Sequence, residues 1–271
     1  MYDFHIHSEY SMDSNSPMDK VAINAIEKKA KAICFTDHID FDATVNKIDI
    51  QFRVPDYFKE ITKMKYKYKD KLDIFTGVEI GMQPHLYKRY DELINKYPFD
   101  FVIMSIHTLN GIDIASDKIF QYATKDPEDI IMTYYETMLD AVMQYDNFDV
   151  LGHIDYIDRY FERQTGSKLD VDEYYIYEPI IEEILKVIIE KNKGIELNTA
   201  GLRTGLDYYN PKINILKLYK SLGGEIITMG SDAHHIDDLL YDFKKAERLL
   251  KQLGFKNIYI YRERKKIQIQ L

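Results

Sequence analysis

Seven short runs rich in Ile, Val and Phe alternate along the chain with longer stretches of helical periodicity, and this alternation limits the possible folds most strongly. Each run is bounded by polar residues or Gly, as β-strands are. The predicted strands are Tyr2–His7, Ala32–His38, Ile74–Ile80, Asp100–His107, Asp149–Ile154, Gly194–Thr199 and Glu225–Ser231. Strand and helix units in succession predict parallel strands that are joined by crossover helices.

Helix signals lie between these strands, and the apolar period is strongest after Pro179. The predicted helices are Pro17–Lys31 with Ser16 as its N-cap, Asp126 to about Tyr145, Pro179–Asn192, and Asp237–Leu253. The tail Asn257–Leu271 alternates polar and apolar residues, which predicts a further strand outside the main sheet.

Side chains that can bind metals or transfer protons fall at the carboxyl end of every predicted strand. They are His5, His7, His38, Glu79, His107, His153, Asn198 and Asp232. In a barrel these ends converge on one mouth, where active sites are built, whereas in an open sheet seven ends would spread along an edge. We therefore predict an α/β fold, an irregular seven-stranded (β/α)7 TIM-like barrel formed by one domain over residues 1–271. The active site is expected at the C-terminal ends of the strands.

Each of these signals has a structural alternative when it is taken alone. His5 and His7 lie two residues apart on one face of a strand, as a chelating pair would, but core or surface histidines also fit. Glu79 in an apolar run could form a salt bridge, and Asp232 with His234 could be an ordinary hydrogen-bonded pair. Jointly, however, six of the eight histidines lie at the same strand ends as Glu79 and Asp232. A single metal cluster explains all of these positions.

Composition excludes some classes of partner. With 36 Lys and Arg against 45 Asp and Glu, the net charge of −9 argues against a nucleic-acid binder but allows a small phosphorylated ligand. Cys34 is the only cysteine, which excludes an intramolecular disulfide and fits a reducing compartment. The N-terminus has no signal-peptide pattern and no apolar run reaches a membrane-spanning length. A soluble cytoplasmic protein with no membrane partner is expected, and its oligomeric state stays open.

The motifs HIH, TDH, GVEIG, SIH, GHIDY and GSDAH resemble, in this order and over nearly the whole chain, those of the PHP (polymerase and histidinol phosphatase) superfamily. The length suits its stand-alone histidinol-phosphate phosphatase branch. This resemblance implies an irregular seven-stranded barrel with a trinuclear metal site. It implies one metal on His5, His7, Glu79 and Asp232, a second on Glu79 as a bridge with His107 and His153, and a third on Asp13, His38 and His234. Without the resemblance, Asp13 could equally be a solvated loop residue, with Glu9 as an alternative.

The implied cofactors are three divalent ions of Zn, Mn or Fe. Two such ions about 3.5–4 Å apart can hold a bridging hydroxide and bind phosphoryl oxygens. The resemblance therefore implies a metal-dependent phosphomonoesterase that hydrolyses L-histidinol phosphate in histidine biosynthesis, with Glu79 and Asp232 as catalytic residues. The alternatives are a PHP-type phosphatase or exonuclease that acts on nucleotides, and a non-catalytic metal-binding regulatory module.

Two arginines follow strand ends and are candidate phosphate ligands. Arg159 and Arg203 lie in segments at the expected barrel mouth, where a planar guanidinium can bind a phosphate through two hydrogen bonds. Surface arginines would fit the sequence as well, and the branch resemblance favours the binding role. Asn198 is expected either to position the substrate or to support the site.

Overall fold

The computed structural model describes residues 1–116, 119–122, 126–166 and 171–271. The strands are β1 (Tyr2–Ile6), β2 (Ala32–Phe35), β3 (His38–Ile39), β4 (Asp73–Gly81), β5 (Phe101–Ser105), β6 (Thr108–Leu109), β7 (Ile112–Asp113), β8 (Val150–Leu151), β9 (Gly194–Asn198), β10 (Ile227–Gly230), β11 (Asn257–Arg262) and β12 (Lys265–Gln270). The helices are α1 (Met18–Glu27), α2 (Val54–Tyr68), α3 (Tyr87–Lys96), α4 (Ile119–Tyr122), α5 (Pro127–Gln144), α6 (Asp158–Thr165), α7 (Val171–Glu190), α8 (Ala200–Arg203), α9 (Ile213–Ser221) and α10 (Phe243–Gln252). Short 3₁₀ turns cover Pro84–Leu86 and Ile236–Asp238.

Seven of these strands run parallel and form a nearly closed barrel in the order β1-β2-β4-β5-β8-β9-β10. At the seam between β1 and β10, Ile6 and Ala233 form a parallel bridge. The His7 amide donates to the Ala233 carbonyl over 3.0 Å, and the Asp232 amide donates to the His5 carbonyl over 2.8 Å. The predicted irregular seven-stranded barrel is confirmed.

The second predicted strand, Ala32–His38, is interrupted. β2 and β3 both pair with β4 in the same register, but Thr36 and Asp37 between them belong to neither strand. The Thr36 hydroxyl accepts a hydrogen bond from the Ile6 amide over 3.1 Å, and Asp37 accepts bonds from the amide and hydroxyl of Ser8. These side-chain hydrogen bonds connect Thr36 and Asp37 to the end of β1. The apolar content of the segment does not predict this interruption of the strand.

Helix α7 begins earlier than the predicted Pro179–Asn192 and contains Pro179 in its interior. Tyr174 and Tyr177 are buried and extend the apolar stripe of the helix to the N-terminal side of Pro179. A proline removes one backbone hydrogen bond and would ordinarily end a helix. Here the burial of two aromatic side chains outweighs that cost, so the prediction of the helix start was wrong.

Two other helix boundaries were also predicted wrongly. Ser16 is not the N-cap of α1, since its hydroxyl donates instead to the His234 carbonyl over 3.0 Å. The predicted helix Asp237–Leu253 is divided into a 3₁₀ turn and α10, because Leu240 and Asp242 both adopt positive φ, 58° and 55°. Those values lie outside the right-handed helical region.

The C-terminal tail forms an antiparallel hairpin of β11 and β12 rather than one strand. Its turn residues Glu263 and Arg264 have φ of 50° and 63°, the conformation that two-residue hairpin turns require. Because neither is Asn or Gly, the sequence carried no turn signal. The Arg264 amide donates to the Asp100 carbonyl just before β5 over 3.0 Å, so the hairpin contacts the amino-terminal end of the barrel.

Helix α2 buries one face against the barrel. In α2 the buried residues Val54, Tyr57, Ile61, Met64 and Tyr68 recur every three or four positions, which is the spacing of one helical face. Full burial of a side chain such as Ile61 contributes about 1.5–3 kcal/mol. In the part of the chain that the structure describes, no helix is both long and apolar enough to cross a membrane.

Candidate metal centre at the carboxyl ends of the strands

Side chains from six different strand ends meet at one mouth of the barrel. They are His5, His7, Asp13, His38, Glu79, His107, His153, Asp232 and His234. β1 supplies His5, His7 follows the strand directly, and the loop beyond supplies Asp13. Since the parallel strands all point the same way, their carboxyl ends converge even though the residues are up to 229 positions apart in sequence.

Glu79 of β4 lies at the centre of this cluster and is fully buried. Its Oε2 lies 3.1 Å from His5 Nε2 and 3.1 Å from His38 Nδ1. Its Oε1 lies 2.9 Å from His153 Nε2 and 3.2 Å from His107 Nε2. Oε2 also lies 3.5 Å from His7 Nε2. One carboxylate therefore faces five imidazoles, three on Oε2 and two on Oε1, which is the arrangement expected of a group that bridges two cations.

Asp232 occupies the other side of the cluster. Its Oδ1 lies 3.3 Å from His7 Nε2 and 3.7 Å from His5 Nε2. Its backbone φ of 52° is unusual for a residue other than Gly, and Asp is among the side chains that tolerate it. The outermost pair is Asp13 and His234, whose Oδ2 and Nε2 lie 3.1 Å apart.

Four groups of side chains place their ligand atoms close enough together to hold one ion each. The groups are His5, His7 and Asp232; His5, Glu79 and His153; His38, Glu79 and His107; and His7, His38 and His234. The groups share members, so the cluster is continuous. Asp13 is in none of them, although its Oδ2 also approaches His38 Nε2 to 3.7 Å. The partition into three metals that the resemblance implies stays a prediction.

In His5 and His107 the ring nitrogen that points away from the cluster is held by a carboxylate acceptor. His5 Nδ1 lies 2.6 Å from Oε1 of the buried Glu196, and His107 Nδ1 lies 3.1 Å from Asp40 Oδ2. A carboxylate on one nitrogen fixes the tautomer and turns the lone pair of the other nitrogen outward, as in many metal-binding histidines. Both imidazoles thus present Nε2 to the cluster.

Two ligand atoms in the cluster are buried without a hydrogen-bond partner, namely His7 Nε2 and His38 Nδ1. His7 Nδ1 contacts the Ser11 hydroxyl at 3.0 Å, so its Nε2 is free to act as a ligand. Burial lowers the pKa of His7, and the neighbouring His234 and His38 lower it further. A neutral imidazole with an unpaired buried nitrogen is what a divalent metal ion binds, so these residues fit such an ion.

The two buried carboxylates of the cluster, Glu79 and Asp232, are kept in the charged form by their neighbours. Burial alone would raise the pKa of Glu79, but His5 and other imidazoles outweigh it and hold the pKa well below its usual value. Asp232 follows the same pattern, with burial opposed by His5, His7 and Arg159. Buried anions surrounded by nitrogen ligands form a donor set that borderline metals such as zinc prefer.

Arg159, expected in a loop, lies at the start of α6 beside the cluster. Its Nη1 donates to Asp232 Oδ2 over 3.2 Å and its Nη2 donates to Asn198 Oδ1 over 3.3 Å. Its Nε donates to Asn210 Oδ1 over 3.0 Å. The side chain is 6% exposed, so this cation is fixed at the barrel mouth and not on the surface.

Arg203 at the end of α8 is directed differently. Its Nη2 donates to the carbonyls of Ser231 and Asp232, both over 2.9 Å, and its Nη1 lies 3.2 Å from Asp238 Oδ2. These contacts brace the loop that carries Asp232. The expected contact between Arg203 and a phosphate stays a prediction.

The sequence analysis missed Glu196 and Asp40, which orient His5 and His107. A signal existed for each of them. Glu196 lies in the apolar run of β9, two residues before Asn198, and the argument applied to Glu79 applies to it equally. Asp40 follows His38 by two residues, so period-2 geometry places both side chains on one face.

A cleft opens next to the cluster, with about 480 Å³ of empty space that includes part of the open mouth. Asp13, His38 and His107 of the cluster line one side of this cleft. Tyr156 and Asp113 line it as well, and the Tyr156 ring stacks on His153 with centroids 4.5 Å apart. The cleft is therefore continuous with the candidate metal centre.

Comparisons with known proteins assign the chain to a family. The family described as PHP domain matches residues 3–200, and the chain belongs to this family. A probable histidinol-phosphatase of Clostridium acetobutylicum is 34% identical over 96% of both chains. A histidinol-phosphatase of Lactococcus lactis is 33% identical, over 93% of this chain and 91% of the relative.

A solved structure agrees with these relatives. The histidinol phosphate phosphatase of Lactococcus lactis, complexed with zinc, L-histidinol and phosphate, superimposes with a TM-score of 0.84 and 30% identity, over 98% of each chain. The predicted membership of the PHP family is confirmed.

Proposed function

We propose that this protein is a metal-dependent phosphomonoesterase that hydrolyses L-histidinol phosphate to L-histidinol and phosphate. The observation that carries the proposal is the Glu79-centred cluster, with its unpaired buried imidazole nitrogens and the fixed Arg159 cation beside it. Full-length similarity to histidinol-phosphatases supports the choice of substrate. The phosphatase structure with zinc, histidinol and phosphate supports both the metal and the ligand chemistry.

The nine clustered residues would hold up to three divalent ions, with Zn, Mn and Fe as the candidates. When bound, such ions supply an activated water and neutralise charge on the phosphoryl oxygens. Glu79 and Asp232 would hold these ions, because their carboxylates stay ionised in contact with most of the imidazoles. We propose the whole chain, residues 1–271, as one phosphatase domain.

Arg159 and Asn198 would bind and orient the phosphate. The guanidinium already contacts Asp232 and Asn198, and a planar cation can bind two phosphoryl oxygens at once. We retain Arg203 as a second candidate for this role. To reach a phosphate its guanidinium would have to give up its bonds to the carbonyls of Ser231 and Asp232.

The histidinol portion would occupy the neighbouring cleft. L-histidinol carries a cationic amine, and Asp113 of β7 lines the cleft as a carboxylate acceptor. Its Oδ1 accepts the Ala115 amide over 2.8 Å, which fixes the carboxylate. We expect Asp113→Asn to lower kcat/KM for histidinol phosphate and to leave the hydrolysis of an aryl phosphate without an amine unchanged.

The experiment that tests the function is a substrate comparison with the metal-loaded protein. Histidinol phosphate, nucleoside monophosphates, a single-stranded oligonucleotide and p-nitrophenyl phosphate would be assayed side by side for kcat/KM. Highest kcat/KM with histidinol phosphate supports the proposal. A preference for nucleotides or for the oligonucleotide would identify a different PHP-type hydrolase, and no turnover of any substrate would indicate a non-catalytic metal-binding module. Since the only cysteine is buried and free, we place the reaction in the reducing cytoplasm.

A further inference from the structure

We propose that Asp155 and Asn210 are positioning residues for Arg159. The Asp155 carboxylate orients the Asn210 amide, and the amide oxygen holds the Arg159 guanidinium in the plane that a phosphate requires. This inference rests on the proposed role of Arg159 in phosphate binding. Sequence patterns do not suggest it, because Asn210 lies 51 residues beyond Arg159 in a loop.

The backbone of Asn210 is fixed to the end of β9. Its amide donates to the Asn198 carbonyl over 3.0 Å, and its carbonyl accepts from the Asn198 amide over 2.7 Å. The residue is fully buried. With the backbone fixed, the orientation of the Asn210 side-chain amide depends on the groups that it contacts.

Asp155 determines that rotation. Asn210 Nδ2 donates to Asp155 Oδ1 over 2.6 Å, while Asn210 Oδ1 accepts from Arg159 Nε over 3.0 Å. An ionised carboxylate only accepts and a guanidinium only donates, so a flipped amide would face a donor with its NH₂ group and an acceptor with its oxygen. One orientation alone satisfies both neighbours.

Asp155 is itself held by hydrogen bonds on both oxygens. It is fully buried, and its second oxygen accepts the Lys212 amide over 2.7 Å. Both oxygens of this carboxylate are thus used, one on the backbone and one on Asn210. The Lys212 amide thus holds Asp155, Asp155 holds the Asn210 amide, and Asn210 holds Arg159.

The consequence for Arg159 follows from the planarity of the guanidinium. Holding Nε fixes the plane, and Nη1 and Nη2 then each make one bond, to Asp232 and Asn198. Of the five N–H groups of an arginine, these three bonds leave one N–H on each terminal nitrogen. These two N–H groups are the donors left for phosphoryl oxygens, and the fixed plane sets their direction.

Asp158 provides a matched control. It is 3% exposed, lies three residues from Asp155, and its Oδ2 lies 2.6 Å from Lys212 Nζ and 2.8 Å from the Tyr208 hydroxyl. Within the described residues its side chain bonds neither Asn210 nor Arg159. It is a second buried carboxylate of the same region that lacks the connection to Arg159.

The test exchanges donor and acceptor between the two residues. Asp155→Asn presents an NH₂ group to the Asn210 amide, which then turns its own NH₂ group towards Arg159 Nε. Asn210→Asp places two carboxylates in contact. The double variant Asp155→Asn with Asn210→Asp restores one donor and one acceptor at the contact and keeps the net charge. Its new carboxylate again accepts from Arg159.

Affinity for inorganic phosphate would be measured by calorimetry on the metal-loaded protein, together with kcat/KM for p-nitrophenyl phosphate. Each single variant is expected to bind phosphate about tenfold more weakly, because small misplacements of a binding group cost one to two orders of magnitude. The double variant should regain near wild-type affinity, and Asp158→Asn should retain it. Metal content should be equal in the wild-type protein and in every variant. Asn210→Ala, which removes the contact without creating a charge clash, should show the same loss.

Wild-type phosphate affinity in both Asp155→Asn and Asn210→Ala would overturn the proposal. A double variant as weak as the single variants would overturn it as well, since both residues would then matter only for packing. A wild-type protein that binds phosphate but leaves histidinol phosphate intact would refute the proposed function, whereas the phosphate calorimetry would still decide the role of Asp155 and Asn210.

Discussion

Replacement of Glu79 by Gln removes one negative charge and little volume from the centre of the cluster. Glu79 Oε1 accepts from the Ser105 hydroxyl over 2.7 Å and faces His153 and His107, while Oε2 faces His5 and His38. In the Gln variant one of these oxygens becomes an NH₂ group. That group cannot bind a metal and cannot accept a hydrogen bond.

The size of the effect follows from the two sets of contacts. Because the two oxygens face different imidazoles, the substitution weakens the site of at least one ion whichever way the amide turns. A bound metal ion contributes several kcal/mol of charge stabilisation in phosphate hydrolysis. A loss of about 4 kcal/mol corresponds to about a thousandfold decrease in kcat/KM at about 1.4 kcal/mol per factor of ten.

The assay compares kcat/KM for histidinol phosphate, metal content by elemental analysis, and thermal unfolding. Asp149→Asn is the matched control, since Asp149 is a buried carboxylate at the opposite end of the barrel, where it accepts from the Val102 amide and Arg264 Nε. We expect the control to lower stability while kcat/KM and metal content stay unchanged. A Glu79→Gln variant with near wild-type kcat/KM and a full complement of metal would refute the reasoning, and Glu79 would then be a structural carboxylate.

Other perturbations separate metal binding, phosphate binding and folding. Metal analysis of the active protein should give close to three ions per chain, and chelation should abolish activity until a divalent metal is restored; full activity with one ion or none would contradict the cluster. Arg159→Ala should lower kcat/KM by about 10- to 150-fold through loss of a charge-assisted bond of about 1.5–3 kcal/mol, without loss of metal. Arg203→Ala should also lower kcat/KM, and accompanying metal loss would show that Arg203 acts by bracing the Asp232 loop and not on phosphate. Arg264→Ala removes the bond to Asp149 and should lower the free energy of unfolding by about 1.5–3 kcal/mol in urea titrations at unchanged kcat/KM; a fall in kcat/KM at unchanged stability would show that the hairpin acts on the site.

The amino-acid sequence was sufficient to predict the barrel and the place of the site. Strand residues alternate between faces, so the spacing of His5 and His7 alone puts both imidazoles on one side of β1. Parallel strands with crossover helices bring all carboxyl ends to one mouth of the barrel. A polar residue that directly follows an apolar run is therefore expected at that mouth. Local patterns of this kind survive folding because they follow from backbone geometry.

Features that depend on contacts between distant segments could not be predicted in the same way. α7 continues through Pro179 because Tyr174 and Tyr177 find a buried surface, and the C-terminal hairpin turns at residues without turn propensity. In both cases tertiary packing outweighs a local preference, and the local sequence carries only the preference.

At the site, too, some features follow from the sequence and others only from the tertiary structure. The sequence by itself determined which residue types stand at the strand ends, and hence that imidazoles and carboxylates meet there. Only the tertiary structure decided which nitrogen each imidazole presents, since Glu196, which holds His5, lies 191 residues away. It also decided that Arg159 is fixed through Asn210 and that Arg203 is bonded to backbone carbonyls. The physical reason is that a hydrogen bond requires a partner within about 3 Å at a suitable angle, and no spacing along the chain encodes a distance between segments that fold against each other.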